Sequence, residues 1–214
     1  MLLLTVKNGC KNTHFFVFWK ISYLCTDKYF TMHNRKLLNI ELGRVSAEQY
    51  KELPDTGLVI VLDNIRSAHN VGNIFRLAEA LGAEIIGCGA TPLPPHPKLE
   101  RTAMGTDKTV PFRSVPEVAD AIRLLRQEGC AMILAAEPGG GDTSLAWNRE
   151  YKFPLAVIFG NEALGVHPEA LRMVDGLVSL PMNGSKASIN VSNAAAAIMY
   201  AALARTEKAC DNEN

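Results

Sequence analysis

The sequence predicts an α/β protein in which a parallel sheet is flanked by helices, and three observations carry that prediction. Leu58-Val59-Ile60-Val61-Leu62 and Leu155-Ala156-Val157-Ile158 are continuously apolar, without the alternation of a half-exposed strand. Segments of helical spacing lie between such runs, the order expected of strand–helix–strand units. Three polar, glycine-bearing clusters each follow an apolar run: Asn70-Val71-Gly72 with Arg76, Phe159-Gly160-Asn161-Glu162 with Gly165, and Leu180-Pro181-Met182 through Gly184 to Ser188-Ile189-Asn190-Val191-Ser192. Open α/β sheets bind ligands beyond the carboxyl ends of their strands, so the three clusters point to one convergent pocket.

Taken in order, residues 32–56 are polar and helix-capable, with Ser46 before Glu48-Gln49 as a helix start and Pro54 as a stop. Gly57–Asp63 reads as a buried strand. Val71, Ile74, Phe75, Ala78 and Leu81 then keep helical spacing, and Gly82 closes the helix. Glu84–Cys88 is a second strand, and Thr91–Lys98, dense in proline, an irregular loop. Pro116–Glu128 is an amphipathic helix with Val118, Ala121, Ile122 and Leu125 on one side. Ala131–Ala136 is a third strand and Pro138-Gly139-Gly140-Gly141 a flexible turn. Leu155–Phe159 and Leu177–Leu180 bring the expected strands to about five, with Pro168–Met173 as a short helix between the last two. An alanine-rich helix runs from Ser192 to about Lys208.

The chain has 214 residues, enough for one domain with a sizeable core. Lys+Arg and Asp+Glu both number 22, which argues against wholesale electrostatic binding of nucleic acid and leaves room for a local basic patch. Cys10, Cys25, Cys88, Cys130 and Cys210 are odd in number and scattered, so reduced thiols, no zinc site and a cytosolic location are expected. In the first thirty residues Lys20 interrupts the apolar stretch Phe15–Cys25, which disfavours a membrane span, and no clear cleavage site marks a signal peptide. Met32 opens a more ordinary start for a soluble domain. Residues 1–31 therefore read as an extension or a misplaced start.

Several familiar sites are excluded. Gly87-Cys88-Gly89 has Pro92 where a dinucleotide fingerprint needs glycine, and prolines follow where its helix should begin. No P-loop, nucleophile elbow or metal-ligand spacing of histidines is present. Taken singly, the residues of the three clusters have ordinary structural readings: Asn70 as a helix N-cap, Arg76 as a solvated charge, Glu162 as a complement to a helix N-terminus, and Ser188, Asn190 and Ser192 as turn and capping residues.

Their joint order and spacing say more. Asn70, Gly72, Arg76, Ala78 and Gly82, then Phe159-Gly160-x-Glu162-x-x-Gly165, then Leu180-Pro181-Met182-x-Gly184-x-x-x-Ser188-Ile189-Asn190-Val191-Ser192-x-Ala194 with Tyr200, together resemble the SpoU (TrmH-like) RNA 2′-O-ribose methyltransferases of the SPOUT superfamily. The resemblance covers roughly residues 57–205. Leu180 and Ile189 stand where that family commonly has Ile and Leu.

The resemblance implies a C-terminal trefoil knot that binds S-adenosylmethionine, and a homodimer. By motif position, Gly160, Leu180, Met182 and Ile189 line the cofactor pocket, with Gly160 and Gly184 allowing close approach of backbone to ligand. Arg76 activates the ribose 2′-hydroxyl. Asn70 orients Arg76 or the target nucleotide, while Glu162, Ser188 and Asn190 fix the site by hydrogen bonding. No metal and no membrane enter.

The organisation expected is an extension over 1–31, a short helical extension over 32–56, the methyltransferase domain over 57–208 and a tail over 209–214. RNA is the expected partner, tRNA ahead of rRNA because residues 32–56 suit a brief extension. Basic residues near the proline-rich loop, Lys98, Arg101, Lys108 and Arg113, are candidates to meet it. Two rivals remain open at this point: a base-methylating enzyme of the same fold, and a non-catalytic RNA-binding protein that keeps it.

Overall fold

In the computed structural model, residues 45–53, 55–139 and 143–211 are described. The readings of residues 1–44 lie outside them, as does the centre of the expected Gly-rich turn. Residues 45–53 belong to a unit separate from the one that begins at Thr56. They contain helix α1 (Ala47–Lys51), which starts on a capping box: the Ser46 hydroxyl accepts from the Gln49 N–H, and the Gln49 side chain accepts from the Ser46 N–H.

From Thr56 onward, seven strands form one sheet in the order β3-β2-β1-β6-β4-β7-β5, every neighbouring pair parallel. They are β1 (Leu58–Asp63), β2 (Glu84–Cys88), β3 (Phe112–Val115), β4 (Met132–Ala136), β5 (Thr143–Leu145), β6 (Leu155–Phe159) and β7 (Gly176–Ser179). β1 and β6 are buried at every position, as their unbroken apolar sequences require of central strands covered on both faces. The two strands beyond the expected five are edge or near-edge elements: β3 alternates between exposed and half-buried residues, and β5 is three half-buried residues long. Neither carries the continuous apolar run that marks a buried strand.

Helices α2 (Ala68–Leu81), α3 (Pro97–Ala103) and α6 (Val191–Asp211) cover one face, with Val71, Ile74, Phe75, Leu99, Ile198 and Met199 buried there. Helices α4 (Val118–Gln127) and α5 (Pro168–Met173) cover the other through Val118, Ile122, Leu125 and Ala170. α3 occupies part of the stretch read as loop, because Pro97 sits at the first helical position, where a missing N–H costs nothing. α6 runs to Asp211, past the expected Lys208. α2 starts one turn earlier than its apolar spacing suggests, with Ser67 as the N-cap that accepts from the Asn70 N–H at 3.3 Å. Asn70 therefore lies inside the first turn, its side chain free for other work. Gly82 ends α2 in the left-handed region at φ 64°.

Gly72 sets how closely α2 and α3 approach. A Cβ there would lie 2.7 Å from the Thr102 Cβ and 2.8 Å from the Leu99 carbonyl oxygen. Alanine would gain about 1 kcal/mol of helix propensity, but overpacking against backbone costs about 1–3 kcal/mol. Gly72→Ala is therefore expected to lower the unfolding free energy, read as a lower urea midpoint at unchanged slope. A raised midpoint would refute close helix packing as the reason for this glycine.

Candidate functional site

The sheet has a point where the chain's direction of travel divides. From β1 the chain crosses through α2 to β2 on one side. From β6 it leaves through α5 toward β7 on the other, and α2 and α5 lie on opposite faces. The loops after these two adjacent strands diverge and leave a crevice at their carboxyl ends, the place where open α/β sheets bind ligands.

Hydrogen bonds across that crevice hold the site. The Glu162 carboxylate, from the loop after β6, accepts from the Arg66 N–H at 3.2 Å, the Ser67 N–H at 3.4 Å and the Asn70 side-chain amide at 3.0 Å. The Asn70 carbonyl oxygen in turn accepts from the Asn190 amide at 3.0 Å. The Asn190 oxygen takes the Ser192 N–H at 2.9 Å and hydroxyl at 2.7 Å, anchoring the start of α6. One continuous run thus joins the loop after β6, the first turn of α2 and the segment before α6. It unites residues from all three sequence clusters: Asn70, Glu162, and Asn190 with Ser192.

Partial burial acts to raise the Glu162 carboxyl, but its own backbone N–H, the Asn70 amide and the Arg66 and Ser67 N–H groups all favour the carboxylate and hold it below the usual glutamate range.

A second layer supports the first. The Asn161 side chain donates to the Asn64 carbonyl at 2.7 Å, and its oxygen accepts from Ala163 and Leu164. Asn161 and Gly165 pair through both backbone bonds, closing a tight turn around Glu162. Asp63, 2% exposed at the end of β1, accepts from the His167 N–H at 2.7 Å and from the Asn64 amide at 2.9 Å. Glu137, at the end of β4, accepts from the Val166 N–H at 2.7 Å. Sequence reasoning missed Asp63 and Glu137, and named Asn161 within its cluster without giving it a role. Its available signal was a polar residue ending, or immediately following, an otherwise apolar strand.

The remaining expected residues are placed differently. Arg76 is exposed and has no hydrogen-bond or ion-pair partner among the described residues, and the Asn70 side chain meets Glu162 and Asn190, not Arg76. Six residues of helix put Arg76 about 9 Å along the axis and roughly 240° around it from Asn70. Ser188 is exposed, with no hydrogen bond among the described residues. Leu180 packs half-buried on the core, while Met182 and Ile189 are 37% and 45% exposed in a segment whose residues 181–190 are all exposed. The space a Cβ would need at Gly160 is filled by the backbone of Gly165 and Val166, so the turn itself requires that glycine; a Cβ at Gly184 meets open space. Arg113 leaves the set of candidate basic residues, because Glu84 and Glu128 engage its guanidinium in a salt-bridged fork.

Beside the Glu162 turn an open cleft of about 430 Å³ is lined by Asp63, Asn64, Arg66, Ala90, Leu164 and His167 among others, and Leu164 is 81% exposed at it. Among the described residues no group of three or more His, Cys, Asp or Glu is placed to hold a metal ion, and no helix is long and apolar enough to cross a membrane.

Comparison with known proteins follows the same three clusters. The model of the SpoU rRNA Methylase family matches residues 57–200. The chain is 32% identical over 166 residues to the tRNA (guanosine(18)-2′-O)-methyltransferase of Thermus thermophilus, covering 78% of this chain and 83% of that one. It is also 32% identical over 147 residues to the 23S rRNA (guanosine-2′-O-)-methyltransferase RlmB of Ralstonia nicotianae, covering 68% of this chain but 58% of that one. Among solved structures, the SpoU methyltransferase AviRb of Streptomyces viridochromogenes superposes with a TM-score of 0.63 at 31% identity, over 71% of this chain and 60% of that one. AviRb is also known in complex with the cofactor AdoMet.

Because the Glu162 carboxyl is depressed in the folded state, its contribution to stability is complete above the unfolded glutamate pKa and is lost as pH falls through the lower folded value. Glu162→Gln is expected to be less stable than the parent at neutral pH, with the difference shrinking on acidification below about pH 4. Urea midpoints measured from pH 3 to 7 check this; a difference independent of pH would contradict it.

Proposed function

The chain belongs to the SpoU rRNA Methylase family, and on that premise we propose that it is an S-adenosylmethionine-dependent RNA methyltransferase that modifies a ribose 2′-hydroxyl. The observation that carries this reading is the hydrogen-bonded run Glu162–Asn70–Asn190, which brings three separate motifs to one crevice. A base-methylating enzyme or a bare RNA-binding module has no use for that full constellation together with an unpaired arginine.

S-adenosylmethionine, when bound, supplies a methyl group on a sulfonium sulfur that an oxygen nucleophile can take in line. The residues present fit it: Leu180, Met182 and Ile189 offer partly exposed apolar surface for the adenine, next to the loop after Gly160. Glu162, Asn70 and Asn190 fix the loops around that surface. Arg76 holds the acceptor. Its guanidinium, a set of donors in a fixed planar fork, stabilises the charge developing on the 2′-oxygen and positions the adjoining phosphate.

The same geometry supports a homodimer. Arg76 faces away from Asn70 and Glu162, and an arginine so placed serves the site of a second protomer. Tyr200, 48% exposed on alanine-rich α6, gives that helix an apolar outer surface for such a contact. A trefoil knot is supported by the path of the chain: α6 follows β7, which lies outside β4 and β6, yet packs on the face shared with α2, so the chain crosses back over those strands.

RNA meets the face carrying Arg76. Gly72 packs on α3, and Arg76 lies one turn further along the same stripe of α2. Lys98, Arg101 and Lys108 are exposed on and just after α3, giving cationic contacts for phosphate. The cleft beside Leu164, with exposed Arg66 at it, leaves room for part of a nucleotide. We assign tRNA as the substrate ahead of rRNA, since the match spans 83% of a tRNA-modifying relative and 58% of an rRNA-modifying one. The absence of a membrane-crossing helix among the described residues, and an RNA substrate, support a cytoplasmic protein. Residues 57–208 form its methyltransferase domain, preceded by the short extension 32–56.

The test is transfer from labelled S-adenosylmethionine to separated, unmodified tRNA and rRNA pools, with digestion to nucleosides. A 2′-O-methylated nucleoside from tRNA is expected. A methylated base would overturn the mechanism, and failure to bind cofactor would favour the binding-module reading. Arg76→Ala should lower kcat by about 10²–10³ or more and leave cofactor affinity unchanged in calorimetry. If Arg76 works across the dimer, mixing Arg76→Ala with Glu162→Gln protomers restores turnover that neither variant has alone; persistent inactivity of the mixture places Arg76 in its own protomer's site.

A further inference from the structure

We propose that Glu137 holds the ribose of the cofactor, an assignment that rests on the methyltransferase reading above. Glu137 immediately follows β4, the strand between β6 and β7. It is bonded to both segments that flank the cofactor surface. One carboxylate oxygen accepts from the Val166 N–H at 2.7 Å, beyond the Gly160–Gly165 turn, and its backbone N–H donates to the Val178 carbonyl at 3.1 Å, two residues before Leu180. The same oxygen touches Gly165, where a Cβ could not fit. Glu137 is thus a residue that contacts both segments, the loop after β6 through its side chain and the strand leading to Leu180 through its backbone.

Its second oxygen is uncommitted. Among the described residues no hydrogen bond reaches that oxygen and no cation pairs with the half-buried carboxylate. Holding one N–H needs only a neutral acceptor, whereas a carboxylate brings about four acceptor positions. An acidic side chain in this position, at the carboxyl end of a parallel strand, is suited to the paired hydroxyls of a ribose, which donate to it as they do in nucleotide-binding α/β sheets.

The adenosine end of the cofactor is the part that lies here. Glu137 adjoins the strand running into Leu180, whose apolar side chain belongs with the adenine, and the methyl group must face the Asn70–Glu162 run. The ribose lies between those two points. The cofactor's ammonium group lies farther along the molecule, beyond the sulfur.

Two natural ligands separate the possibilities. S-adenosylhomocysteine carries both ribose and amino acid, and methylthioadenosine keeps the ribose and lacks the amino acid. Glu137→Gln retains an acceptor for the Val166 N–H and should leave the melting temperature unchanged. It should weaken S-adenosylhomocysteine by about tenfold in calorimetry, and methylthioadenosine by the same factor. A loss confined to S-adenosylhomocysteine would move Glu137 to the ammonium and overturn the assignment, as would no loss for either ligand. If Glu137→Gln melts early, Glu137→Asp is read by the same pair of ligands. Wild-type protein that binds neither ligand would overturn the cofactor reading itself, a result distinct from failure of the Glu137 assignment.

Discussion

The Asn70 side chain donates to Glu162 and accepts from Asn190, so one amide closes a contact among segments separated by 92 and 120 residues in sequence. Without it, the loop after β6 would keep only the Arg66 and Ser67 N–H bonds to Glu162, and the Asn190 amide would lose its partner. The arrangement is directional. Glu162, held as a carboxylate, requires the Asn70 NH2 to face it, which turns the Asn70 oxygen toward Asn190. Asn190 then has its own oxygen left for Ser192, which sets the first turn of α6. The Glu162 carboxylate, the two amides and the start of α6 are thus linked in one directional run.

The fold makes this economical. β1 and β6 are neighbours in register, Leu58 beside Leu155 through Leu62 beside Phe159, so their loops emerge side by side. Asp63 and Asn161 tie those loops together again just above the strands. The core below is apolar on both faces, and it holds the strand ends still. The crevice is therefore a hydrogen-bonded frame, while Arg76, Met182, Ser188 and Ile189 are exposed and take no part in its bonds. The division is physical: the framework residues satisfy one another, and these exposed residues are left without side-chain partners among the described residues.

Much of this was legible in the sequence because its signals were local. Continuous apolar runs gave the five central strands, and helical spacing ending at Gly82 gave α2. β3 and β5 were not legible, since edge strands have too little burial to impose an apolar pattern. α3 was masked by the prolines before it, although Pro97 itself is a good first helical residue. At the site, motif spacing brought out Asn70, Glu162 and Asn190, but nothing local could show that Asn70 turns away from Arg76. That follows from Ser67, and not Asn70, capping the helix. At Gly160 the space a Cβ would need is filled by the backbone of its own turn, a requirement no local signal in the sequence shows. Glu137 was invisible because its role depends on two partners distant in sequence.

The central claim is that Asn70 and Asn190 act as one unit in building the cofactor site. A double-mutant cycle on Asn70→Ala and Asn190→Ala, read by S-adenosylhomocysteine affinity and by unfolding free energy, tests it most directly. The account predicts strong non-additivity, a coupling of about 1 kcal/mol or more in both readouts, because the first substitution already breaks the run. Losses that add to within about 0.3–0.5 kcal/mol would show two independent residues and contradict it.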